Sequence, residues 1–114
     1  SLLSLTQLNE ALRNQMDLAQ VDVRTAYLEV ERTAEQIQAT AATRKHREAA
    51  LRSETEKFRV GKSTSILVAQ AQRDLVASRI AEIEAVVQHI KARLDLYRQE
   101  GSLLERRGIG LDAP

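Results

Sequence analysis

Neither glycine nor proline occurs between Ser4 and Arg59, and neither occurs again between Lys62 and Glu100. These residues are the strongest breakers of regular backbone, so the chain divides into two uninterrupted runs that meet at Gly61. Ala, Glu, Lys, Leu and Arg supply 59 of the 114 residues, the composition of a coiled coil or long helix. Two long helices are therefore expected, and turn-rich β folds and doubly wound α/β folds are excluded. The first should run over about 4–60, opening on Ser4-Leu5-Thr6-Gln7 as a capping box, and span roughly 80 Å. The second should run over about 64–100, roughly 55 Å, and stop at Gly101-Ser102. Leu103 to Arg107 would add one short turn to the tail, 101–114. The turn is read as Val60-Gly61-Lys62-Ser63, with Gly61 in the left-handed conformation and Ser63, Thr64 and Ser65 offering oxygens to start the next helix. So short a connection makes the helices antiparallel neighbours. The fold class expected is all-α, a long antiparallel helical hairpin of coiled-coil type forming a single segment, 1–114.

Hydrophobic spacing assigns the seam. In the second run Ile66, Ala69, Val76, Ile80, Ile83, Val87, Ile90, Leu94 and Tyr97 alternate spacings of three and four, with Arg73 interrupting. In the first, Val23, Ala26, Val30, Ala34, Ile37, Ala41, Leu51, Thr55 and Phe58 do the same, with Arg44 and Glu48 interrupting. Pairing about the turn predicts a Glu48–Arg73 ion pair across the hairpin. Each run also carries a second stripe of small residues: Ala71, Ser78, Ala81, Ala85 and Ala92 in one, Ala39, Ala42, Ala49 and Ala50 in the other. A lone hairpin needs one apolar seam per helix, whereas two seams suit a helix with neighbours on both sides, as in a bundle or closed cylinder of helices. The longer first helix should also leave Leu5, Leu8, Leu12 and Met16 uncovered, to be met by a second copy or by a folded-back Leu103 to Leu111. An oligomer is expected.

Several function classes fall away. The formal net charge of +1 gives no electrostatic case for nucleic-acid or membrane-surface binding. Absence of cysteine removes disulfides, thiolate catalysis and cysteine metal sites. No run has the roughly 18 uncharged apolar residues of a membrane helix. The opening Ser1-Leu2-Leu3-Ser4-Leu5 is too short and uncharged for a signal peptide, and the chain reads as an excised segment. His46 and His89 are expected on polar, solvent-facing stretches several turns apart, without a shared metal. Carboxylates such as Glu48 and Glu56 alternate with Arg44 and Arg52 along solvated faces, and Arg44-Lys45-His46-Arg47 is diluted by nearby glutamates. Gly61-Lys62-Ser63 lacks both the upstream glycine, where Glu56 stands, and the preceding strand of a phosphate loop. No pocket, convergent polar cluster or cofactor site is foreseeable, so no enzyme is expected.

The turn carries something more specific. Glu56-Lys57-Phe58-Arg59-Val60-Gly61-Lys62-Ser63-Thr64-Ser65-Ile66-Leu67-Val68-Ala69-Gln70-Ala71-Gln72-Arg73-Asp74-Leu75 resembles the hairpin tip of the TolC-like outer membrane efflux proteins. In that family an aromatic residue, a glycine three positions on, a small polar cluster and an apolar-Ala-Gln-x-x-Leu segment recur. Val23-Arg24-Thr25-Ala26-Tyr27-Leu28 resembles its long-helix segment, and Tyr97-Arg98-Gln99-Glu100-Gly101-Ser102-Leu103-Leu104 its returning-helix exit, so the likeness covers nearly the whole chain.

The resemblance implies a piece of a trimeric channel-tunnel, in which two such repeats per protomer build a periplasmic α-helical barrel beneath an outer-membrane β-barrel. The Gly-Ser-Leu-Leu exit implies the C-terminal repeat. It further implies a passive exit duct for small molecules, bridged by a periplasmic adaptor to an inner-membrane pump. Arg59, Val60, Gly61, Lys62, Ser63 and Thr64 would then be the adaptor-binding tip. Two other classes compete: a structural coiled-coil scaffold, and the helical hairpin of the adaptor itself. An adaptor tip carries Arg, then Leu seven on, then Ser four further; counted from Arg59 those positions hold Ile66 and Gln70, and the match fails.

Overall fold

The structure, a computed structural model, describes residues 2–106. Helix α1 spans Leu2–Arg59 (58 residues), and α2 spans Ser65–Arg106 (42 residues). Residues 60–64 join them, and no strand occurs among the described residues. The chain is an all-α helical hairpin. Two boundaries differ from expectation. Helix α1 already includes Ser4, so the capping box is not used as a start; the Thr6 hydroxyl instead donates to the Leu2 carbonyl (2.9 Å). Helix α2 passes through Gly101 to Arg106. A glycine inside a helix costs about 1 kcal/mol relative to alanine, which burial of its neighbours outweighs, since Ser102 and Leu103 are half-buried. A Cβ at Gly101 would meet nothing within 4 Å. Gly101→Ala is therefore expected to stabilise α2 by about 0.5–1 kcal/mol, seen as a higher urea midpoint; a lower one would count against the helical assignment there. The tail beyond Arg106, with the expected Leu111 contact, lies outside the described residues.

The chain packs as two units, one built from Arg32–His89 around the turn and one from the flanking segments up to Glu31 and from Ile90 onward. In the turn unit α1 buries or half-buries Thr33, Ile37, Thr40, Arg44, Glu48, Leu51 and Glu54. From α2 come Val68, Ala71, Leu75, Ser78, Glu82, Ala85 and His89. The α2 set alternates spacings of three and four as a heptad seam does, and the α1 set uses the same two spacings without strict alternation. On α2 this is not the set that side-chain size selects. Leu75 and Ala85 are 6% and 5% exposed, whereas Ile80 and Ile83 are 51% and 64% exposed. The large stripe Ile66, Val76, Ile80, Ile83 and Val87 faces outward, and the small stripe with Ala71, Ser78 and Ala85 faces α1. On α1 the expected Ile37 and Leu51 lie in the seam and the expected Ala34 and Ala41 are half-buried beside the more deeply buried Thr33 and Thr40, while Thr55 and Phe58 are exposed.

The inversion has a physical basis in what fills the seam. Small side chains let polar groups reach across: Thr33 Oγ1, on a residue only 2% exposed, hydrogen-bonds His89 Nδ1 at 2.9 Å. Thr40 returns its hydroxyl to the carbonyls of Gln36 (2.9 Å) and Ile37 (3.0 Å), and Ser78 donates to Leu75 (2.7 Å). Among the described residues no buried side-chain polar atom lacks a partner, the condition under which a polar seam is tolerated.

In the flanking unit the buried and half-buried positions are Met16, Ala19, Val23, Ala26 and Val30 from α1, with Ala92, Leu96, Gln99 and Leu103 from α2. Ile90, Leu94 and Tyr97, expected in the seam, are exposed. Leu5, Leu8 and Leu12 are exposed, as the overhang requires, while Met16 is half-buried. No helix among the described residues is long and apolar enough to cross a membrane.

Candidate functional site: the hairpin tip and the charged seam behind it

The tip is built by backbone first. The Gly61 amide donates to the Phe58 carbonyl (3.1 Å) and the Lys62 amide to the Lys57 carbonyl (2.7 Å). This paired reversal is a Schellman motif, and it places Gly61 at the left-handed position with φ +78°. Lys57 and Arg59 bring positive charge to the last turn of α1, where carbonyls are unpaired. The Val60 amide donates to the Glu56 carbonyl (3.2 Å), and the Val60 side chain is exposed. Thr64 then caps α2, its hydroxyl accepting from the Leu67 amide (3.2 Å).

The side chains brace this turn. Arg59 pairs with Glu56 at 2.5 Å, and Ser63 donates to the Glu54 carboxylate. The Glu56 carboxyl is accordingly held below its ordinary range by the Arg59 guanidinium, which is itself raised. Arg59, Val60, Gly61, Lys62, Ser63 and Thr64 thus fall together on one compact reversal, with Gly61 and Lys62 exposed and Ser63 half-buried. Glu54, expected only as one of the glutamates that dilute the basic cluster, is a bracing residue of the turn. The signal for it was a carboxylate at a seam position one turn before the reversal, opposite a hydroxyl.

Behind the tip the seam is charged. Arg44 sits between Glu82 of α2 (2.5 Å) and Glu48 of its own helix (3.0 Å). Arg79 approaches Glu48 at 3.6 Å, and Arg47 approaches Asp74 at 3.7 Å. The expected Glu48–Arg73 pair is replaced by Glu48–Arg79. Arg73 stands on the outward face of α2, where it donates to Gln70 (3.0 Å). The two charges that interrupted the apolar stripe of α1 are therefore seam residues that bind across the hairpin. His89, expected in solvent, is half-buried against Thr33, while His46 is exposed. Among the described residues no cluster of three or more His, Asp or Glu side chains is placed to hold a metal.

Glu48 gives the network a pH dependence. Its carboxyl is held below the ordinary range chiefly by the hydrogen bond from Arg44, against the opposing effect of desolvation. A carboxyl depressed on folding stabilises the hairpin above its unfolded value and loses that contribution as pH falls through its folded one. Thermal melts should therefore show acid destabilisation below the ordinary carboxylate range that is weaker in Glu48→Gln, and identical pH profiles would refute the assignment.

This geometry has the chemistry of an assembly element: a braced reversal, polar contacts within the hairpin and apolar side chains outside it. Comparison with protein families matches residues 4–102 to Outer membrane efflux protein, while neither the curated proteins nor the solved structures yield a match. That match spans nearly all of both helices and the reversal between them. The chain belongs to the outer membrane efflux protein family, a channel and transport family.

Proposed function

We propose that this chain is the periplasmic helical part of an outer-membrane channel that exports small molecules within a tripartite pump. The observation that carries the reading is the inverted packing of the turn unit. A hairpin that fills its own seam with Thr33, Thr40, Ser78 and Ala85 while exposing Val76, Ile80, Ile83 and Val87 is incomplete alone. Apolar surface of this size is stabilised by neighbouring helices. Side-by-side hairpins closing around an axis make a duct, with the full-length protein a trimer. The duct is passive, and transport is driven by the inner-membrane pump.

In this reading Arg59, Val60, Gly61, Lys62, Ser63 and Thr64 contact a periplasmic adaptor, and through it the pump. The Schellman reversal keeps the tip narrow, and Lys62 carries charge beyond the Arg59–Glu56 pair. In the full-length protein, Lys62→Glu should weaken copurification with the adaptor and raise drug susceptibility of an efflux-deficient host, with trimer yield unchanged. Full adaptor recovery from Lys62→Glu and from an Arg59→Glu/Lys62→Glu double variant would sink the tip assignment. A full-length protein that forms no hollow oligomer would sink the channel itself.

A further inference from the structure

On one side of the seam in the turn unit lies a groove of about 310 Å³, within the range of about 300–1,000 Å³ that small-ligand sites occupy. Its floor is made of small side chains, the buried Thr33, Thr40 and Ala85 and the half-buried Ala81. Arg32 and Gln36 of α1 form one wall and Glu84 and Gln88 of α2 the other, all four exposed. The contacts Thr33–His89 and Arg44–Glu82 set the register of the two helices. By that register Gln36 and Gln88 are roughly level, whereas Glu84 is level with about Thr40 and so stands roughly 12 Å nearer the turn than Arg32. The groove is therefore bipolar, with a carboxylate at the end near the turn, a guanidinium at the far end and two carboxamides between them.

We propose that this groove binds a short extended peptide of about three residues, with its ammonium group at Glu84 and its carboxylate at Arg32. Length, charge and hydrogen bonding each select that ligand. An extended chain covers about 3.3–3.6 Å per residue, so about three residues span roughly 10 Å between their charged ends. Arg32 presents a planar fork of donors that suits a terminal carboxylate, and Glu84 accepts from a terminal ammonium. Gln36 and Gln88 each offer donors and an acceptor, the complement of the carbonyls and amides of a peptide backbone. The floor of alanine and threonine leaves depth for small side chains. No large apolar side chain lines the groove, so a neighbour covering Val76, Ile80, Ile83 and Val87 would leave it open to water.

Trialanine is titrated into the full chain at neutral pH and followed by NMR. Saturable shifts are expected at Gln36, Ala81, Ala85 and Gln88, and none at the tip. Glu84→Gln should weaken trialanine about fivefold yet leave N-acetyl-trialanine, which has no ammonium, unchanged; Arg32→Gln should weaken trialanine likewise and leave trialanine amide unchanged. Both variants change exposed side chains and keep the fold. Absence of saturable shifts, equal binding of trialanine blocked at both ends, or equal binding of an amino alkanoate of the same length, which has the charges without the amides, would overturn the proposal. The groove needs only the hairpin, so its failure would leave the channel reading intact, and a full-length protein without a hollow oligomer would leave the groove intact.

Discussion

Replacing Gly61 by valine is expected to cost the hairpin about 2 kcal/mol or more and to lower its unfolding midpoint accordingly. The residue holds φ +78°, where an L side chain with a Cβ is disfavoured by about 1–2 kcal/mol and a β-branched one by more. The penalty is purely conformational, because a Cβ built at Gly61 meets nothing within 4 Å. Alanine and valine should therefore follow backbone preference rather than volume, and asparagine, which tolerates the left-handed region, should recover much of the loss. Relaxing the strain would break the bonds from Gly61 to Phe58 and from Lys62 to Lys57 and displace the charges at 59 and 62. Equal midpoints for the parent and Gly61→Val in denaturant titrations would show that the reversal is not held at this residue.

Enlarging the inner seam should do comparable damage, and trimming the outer face almost none. Ala85 is 5% exposed between the helices, and overpacking a tight contact typically costs about 1–3 kcal/mol. Ala85→Leu is expected to destabilise the dilute chain by that amount. Ile83→Ala removes a far larger side chain, yet in the dilute chain it should change stability by less than about 0.5 kcal/mol, since Ile83 stands in solvent. Its effect should appear in self-association, as a shift of the sedimentation profile to smaller species. The opposite ranking, with Ile83→Ala the severe variant in dilute solution, would restore the large stripe as the seam.

Much of this was legible in the chain. Freedom from glycine and proline predicts two helices, and the position of Gly61 predicts the reversal, because backbone preference acts locally. The seam was harder. Both α2 stripes keep a heptad spacing, and ranking them by side-chain size chose the wrong one. Burial by size presumes that the strongest apolar surface is used within the chain, whereas here Val76, Ile80 and Ile83 are left outside and Ala71, Ser78 and Ala85 bring the helices close. The clue lies in the charged residues that interrupt the apolar stripe of α1. Arg44 and Glu48 hold seam positions on α1, and Glu82 holds one on α2, so the stripe containing Glu82 was the one able to answer them. Height above the turn alone points Glu48 to Arg73, but Arg73 faces outward on α2 and Arg79 is the residue that approaches Glu48. Propensity alone makes Gly101 a stop, but the half-burial of Leu103 beside it accompanies a helix that continues to Arg106. The reversal is legible because its positions are contiguous in the chain; Glu54, which braces Ser63 from nine residues away, has no such signature.

The most direct measurement is the rate at which single cysteines react with a thiol reagent in dilute solution, where the chain stands alone. A85C should be protected and I83C should react freely, and raising the concentration should slow I83C without changing A85C. A protected I83C beside a freely reacting A85C in the dilute chain would mean that the large side chains close the hairpin from within, and the claim of an element made to be completed by its neighbours would be contradicted.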